Sequence, residues 1–97
     1  MFKESRREHS REPFVTFIRY SVTVMDMRDL KRIRDTAVSV DIGIGGMGMI
    51  TGYPLEVGHI LTFEDDIEVN NITAKAAVVR WIGKAESNKY RVGLRFI

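Results

Sequence analysis

Short runs of β-branched and aromatic residues, broken by turn formers about every 8 to 12 residues, occupy this chain from Phe14 to its last position. That rhythm predicts an all-β protein, a sandwich or a barrel, and it leaves little room for helices. The first run, Phe14 to Val24, reads as a strand or a bulged pair of strands, because Val22 and Val24 alternate with Thr23. Residues 26–35 fit either a short helical turn or a charged loop. Thr36–Ile42 reads as a strand with Val38 and Val40 on one face, followed by the glycine-rich GIGGMGMITGYP. Residues 57–63 make the next strand, Glu64, Asp65 and Asp66 a polar turn, and Asn70–Asn71 a second turn, since Asn tolerates positive φ. Ile72–Ile82 is a long strand and residues 83–89 a loop. In the closing YRVGLRFI, Tyr90, Val92, Leu94 and Phe96 share one face while Arg91, Gly93 and Arg95 take the other.

Ninety-seven residues suffice for one domain and not for two. Residues 1–13 carry no apolar period and are expected to form a flexible arm, with the barrel or sandwich spanning 14–97. The absence of cysteine excludes disulfides and thiolate zinc sites. With only His9 and His59, a histidine-rich metal site is not expected either. Neither a signal peptide nor an apolar run of about 18 to 20 residues is present, so a cytoplasmic protein without membrane insertion is the expectation. In the arm, Lys3, Arg6, Arg7 and Arg11 alternate with Glu4, Glu8 and Glu12. A nucleic-acid-binding arm would be basic throughout, so DNA and RNA are not the expected partners. A barrel that binds single strands would also want more exposed aromatics than Trp81 and three tyrosines. No Ser, His and acid form a defensible catalytic set, and no enzyme is expected.

Gly43, Gly45 and Gly48 spell GxGxxG after a strand. A dinucleotide fold would need a helix to begin there, and Gly52 and Pro54 prevent one. The local reading is a glycine turn or bulge between strands. The acidic cluster at 64–68 lacks EF-hand spacing and reads as solvated. Trp81 fits two readings, packing at the core or barrel rim, or a platform for a base.

Arg7 and Arg11 form an RxxxR pair preceded by Arg6, and thirty residues later comes Asp41-Ile42-Gly43-Ile44-Gly45-Gly46. This order resembles the RxxxR and [DN]xSxxG motifs of the PilZ domain family, and the closing AAVVRWIGKAESNKYRVGLRFI resembles that family's last hairpin. The resemblance implies a six-stranded antiparallel PilZ-type β-barrel with a flexible N-terminal arm, acting in bacteria as a receptor for cyclic di-GMP. It implies ligand contacts from Arg6, Arg7, Arg11, Asp41, Gly43, Gly45, Gly46 and Trp81, no cofactor, and a downstream protein partner. Arginine suits the ligand, since its planar fork bonds guanine O6 and N7 or a phosphate. The arm is expected to order on binding. One departure stands out: Gly43 occupies the family's Ser position. The alternative is a PilZ-fold adaptor that binds proteins and no nucleotide.

Overall fold

The computed structural model describes residues 11–97, all-β, in seven strands. They are β1 (Glu12–Pro13), β2 (Phe17–Asp26), β3 (Asp29–Ile42), β4 (Gly46–Thr51), β5 (Ile60–Val69), β6 (Ile72–Lys84) and β7 (Tyr90–Phe96). The strand order is β1-β3-β2-β5-β6-β7-β4, and β4 also pairs with β3. That last pairing closes β2 to β7 into a six-stranded antiparallel barrel, as expected, and removes its sheet edges. The short β1 is an extra piece that continues the line of β2 along β3, opposite Ile42 and Asp41.

Alternation fills the interior. Ile18, Tyr20 and Val22 of β2 face Met47 and Met49, Leu61 and Phe63, Ala77 and Val79, and Val92 and Leu94. On β3 the buried residues are Ala37, Ser39 and Ile42, while Val38 lies on the outside. The Ser39 hydroxyl bonds the Phe14 carbonyl at 2.5 Å and accepts from the Thr16 N–H at 3.0 Å, fastening the strand entry.

Two stretches differ from the sequence reading. Residues 26–35 form neither a helical turn nor a loop; they are the end of a long β2–β3 hairpin with Asp26 paired to Asp29. The two turn residues, Met27 (φ 49°) and Arg28 (φ 77°), lie in the left-handed region where Asn and Gly are usual, so composition gave no turn signal. Glu64, Asp65 and Asp66 are not a turn but a bulge inside β5, between the pairs Thr62–Ala76 and Ile67–Ala74. The bulge aims each carboxylate at a cation: Asp65 lies 2.5 Å from Arg19, Asp66 2.6 Å from Lys75 and Glu64 3.9 Å from Arg34. Asn70 (φ 50°) and Asn71 (φ 66°) make the expected turn.

Tyr20 is fully buried, and its hydroxyl lies 2.7 Å from Thr51 Oγ1. Thr51 donates to Asp35 Oδ2 at 3.3 Å, which leaves it to accept from Tyr20. Burial pushes the Tyr20 hydroxyl up to about 12, from an ordinary value near 10. The folded state therefore holds this proton more tightly than the unfolded chain. Its contribution is complete below pH 10 and drains away as the pH climbs towards 12. About 2 kcal/mol should be lost from this group by pH 12. Urea unfolding of the parent and Tyr20→Phe, compared between pH 9 and 12, checks this: the variant should show the shallower alkaline decline.

Candidate functional site

Two single-residue bulges set the outer face of the barrel. On β3 the register shifts between Ser39 and Asp41, and on β6 between Val79 and Trp81. Each inserts one residue, Val40 and Arg80, and so turns the next side chain out of the interior. Without the bulges, Asp41 and Trp81 would follow buried Ser39 and Val79 into the core. Bulges re-aim side chains in this way beside functional sites.

The two re-aimed residues belong to one cross-strand row. Trp81 pairs with Gly93, Gly93 with Gly48 and Gly48 with Asp41, so the row crosses β6, β7, β4 and β3. Its middle positions have no side chains, and its ends lie down upon them. A Cβ on Gly93 would stand 2.0 Å from Trp81 Nε1, and one on Gly48 2.9 Å from Asp41 Oδ1. The indole thus lies against the sheet over Gly93, still about half exposed (48%), with the Asp41 carboxylate beside it over Gly48. The Gly48 N–H donates to Asp41 Oδ1 at 3.1 Å and fixes that rotamer. The result is a low platform rather than a cavity. Hollows of about 410 Å³ beside Arg32 and His59, and about 460 Å³ beside Ile44 and Phe96, lie elsewhere.

Charge surrounds the platform. Arg11 Nη1 sits 3.0 Å from Asp41 Oδ1, with side chains 41% and 29% exposed. The pairing of β1 with the end of β3 makes this meeting possible across thirty residues of chain. Arg91 and Arg95 flank Gly93 on the outward face of β7, both exposed, and neither forms an ion pair among the described residues. The chemistry on offer is a flat aromatic surface for stacking, a carboxylate acceptor and guanidinium donors for an anion. No group of three metal-binding side chains exists among the described residues.

The structure thus brings together Arg11, Asp41 and Trp81. Gly43 is buried and its N–H bonds the Gly46 carbonyl at 2.9 Å. Gly45 is exposed at the loop tip, with open space where a Cβ would stand, and its carbonyl accepts from Phe96 at 2.9 Å. Gly46 is buried against β7, where a Cβ would meet the Leu94 carbonyl oxygen at 2.0 Å. Its place is in the barrel seam. Arg6, Arg7 and His9 lie outside the described residues. Gly48 and Gly93, together with Arg91 and Arg95, complete the platform and were not among the ligand contacts expected from sequence. The YRVGLRF alternation was the available signal for three of them.

The chain matches the PilZ domain over residues 5–97. No curated protein and no solved structure matches it. A match over nearly the whole length joins the closed six-stranded barrel and the Arg11–Asp41 meeting in one conclusion: this chain belongs to the PilZ domain family.

Proposed function

We propose that this protein is a cyclic di-GMP receptor that binds the nucleotide on the Asp41–Trp81 platform and signals through its N-terminal segment, without catalysing a reaction. The observation that carries this reading is the arrival of Arg11 at Asp41, in line with an indole laid flat by Gly93. The Asp41 carboxylate can accept from guanine N1–H and N2–H, while Arg11 offers a fork for O6 and N7 or for a phosphate. Trp81 supplies a face for a purine, a contact worth about 1–3 kcal/mol in nucleic-acid sites. Arg91 and Arg95 add positive charge for the two phosphates, and Arg6 and Arg7 are assigned the same task from the arm. The Arg11–Asp41 pair is exposed enough to contribute no more than about 1 kcal/mol, so ligand can rearrange it cheaply.

PilZ domains are binding modules, and a bacterial, cytoplasmic setting with a downstream protein partner follows from the second messenger. No helix among the described residues is long and apolar enough to cross a membrane. The adaptor reading rests on one feature, Gly43 in place of the family's Ser. The missing hydroxyl should weaken binding by about fivefold to tenfold, the equivalent of one hydrogen bond of about 1–1.4 kcal/mol. Calorimetry with two cyclic dinucleotides decides between them. Cyclic di-GMP should bind at about micromolar Kd and cyclic di-AMP at least about tenfold more weakly, because adenine sets a donor where guanine has O6. Equal affinities overturn the arginine–guanine reading, and no binding of either favours the adaptor.

A further inference from the structure

The β2–β3 hairpin outruns the barrel. β2 pairs with β5 only from Tyr20 to Val22, and β3 with β4 only from Val38 to Ile42. Residues 23–32 therefore pair, among the described residues, only with one another. Alternation sorts this ribbon into two faces. Met25 opposes Leu30 on one face, followed by Thr23 with Arg32 and Ser21 with Arg34. Asp26 opposes Asp29 on the other, followed by Val24 with Lys31, and Lys31 Nζ lies 3.4 Å from Asp26. Met25, Met27 and Leu30 are 69%, 89% and 71% exposed, a cluster of apolar side chains in water at the far end of the molecule.

The turn adds an independent observation. Among the described residues, the other non-glycine residues with positive φ are Asn70, Asn71, Ser87 and Asn88, short polar types. Met27 and Arg28 hold the same backbone region against their preference. Strain of this kind persists where side chains are kept for a task.

We propose that the ribbon tip is a peripheral membrane-binding element for an anionic lipid surface. Met25, Met27 and Leu30 enter the headgroup layer, Arg28, Arg32 and Arg34 meet lipid phosphates, and the Asp26–Asp29 face turns to water. Among the described residues Arg32 is held only by the neutral Ser21 hydroxyl at 3.0 Å, and Arg34 stands 3.9 Å from an exposed Glu64. Neither contact is strong enough to keep these guanidiniums from lipid phosphates, since an exposed ion pair adds no more than about 1 kcal/mol. Three side chains on a narrow tip cannot supply the roughly 800 Å² per partner of a stable protein interface. Shallow lipid contact needs no complementary surface, only apolar burial beside basic charge. This is contact with the surface layer, not a span. It is independent of the nucleotide reading, because the platform lies on β6, β7, β4 and the far end of β3.

The test is sedimentation of the full chain with vesicles of phosphatidylcholine alone or with about two-fifths phosphatidylglycerol. The anionic vesicles should bind at least about tenfold more protein than the neutral ones, and high salt should release it. The triple variant Met25→Ser, Met27→Ser, Leu30→Ser should lose about tenfold in binding. Met27→Asn with Arg28→Gly suits the turn backbone better, so it should fold at least as well as the parent and still bind less tightly. Failure to bind anionic vesicles overturns the proposal and leaves the ribbon to protein contacts. Undiminished binding by the Met27→Asn, Arg28→Gly variant overturns it equally.

Discussion

Arg11→Ala should weaken cyclic di-GMP binding by about tenfold to a hundredfold and leave the unliganded melting temperature almost unchanged. The two halves of that expectation come from different energies. In the free protein Arg11 contributes a partly exposed ion pair to Asp41, at 3.0 Å, and such pairs add no more than about 1 kcal/mol. Against the proposed ligand the same guanidinium would make charge-assisted bonds to an anion, which are about twice as strong as neutral ones. Arg7→Ala should lower affinity in the same direction. Asp41→Ala should weaken binding too, but it also strips the Gly48 N–H of its acceptor at 3.1 Å and so loosens the seam between β3 and β4. Arg11 is therefore the cleaner probe. Gly43→Ser is the converse test: a hydroxyl at the family's Ser position should keep or tighten affinity, provided the buried Gly43 site admits it. Normal affinity in both arginine variants would remove the arm from the binding site.

Much of the barrel could be read from the residues because alternation and turn chemistry agreed there. The face shared by Tyr90, Val92, Leu94 and Phe96, and the Asn70–Asn71 turn, are of this kind. The β2–β3 hairpin was hidden for the opposite reason. Met27 and Arg28 occupy a conformation they disfavour, and the charges around them resemble a loop. The platform was only half legible. Motif order pointed to Arg11 and Asp41, but a one-residue bulge leaves no mark in hydrophobic periodicity. Strict alternation from Val79 sends Trp81 inward, and only the extra Arg80 sends it out. Likewise Val40 decides which way Asp41 faces. From the sequence Gly93 is only an outward position of the last strand, and its purpose appears when the indole is seen lying on it.

Gly46→Ala should cost about 3 kcal/mol or more and lower the melting temperature by at least about 12 °C, the largest stability loss expected from a single methyl group here. The new Cβ would stand 2.0 Å from the Leu94 carbonyl oxygen and 3.1 Å from its carbon, both backbone atoms. No rotamer change relieves such a clash. Relief requires β4 to draw away from β7, breaking the pairs Gly46–Arg95 and Met47–Leu94 beside buried Met47. Replacing glycine also restricts the unfolded chain, which stabilises by about 0.4–1 kcal/mol and offsets little of this. Gly45→Ala, one residue earlier, supplies the control. Nothing lies within 4 Å of its Cβ position, so its melting temperature should stay near that of the parent. The pair also separates the two tasks of the motif. If Gly45→Ala lowers affinity while stability holds, the loop tip touches ligand. A fall in both properties with Gly46→Ala traces to the barrel seam that positions Asp41 and Gly48. Should Gly46→Ala melt with the parent, the close approach of β4 and β7 is not what fixes this glycine, and its importance must then lie at the ligand.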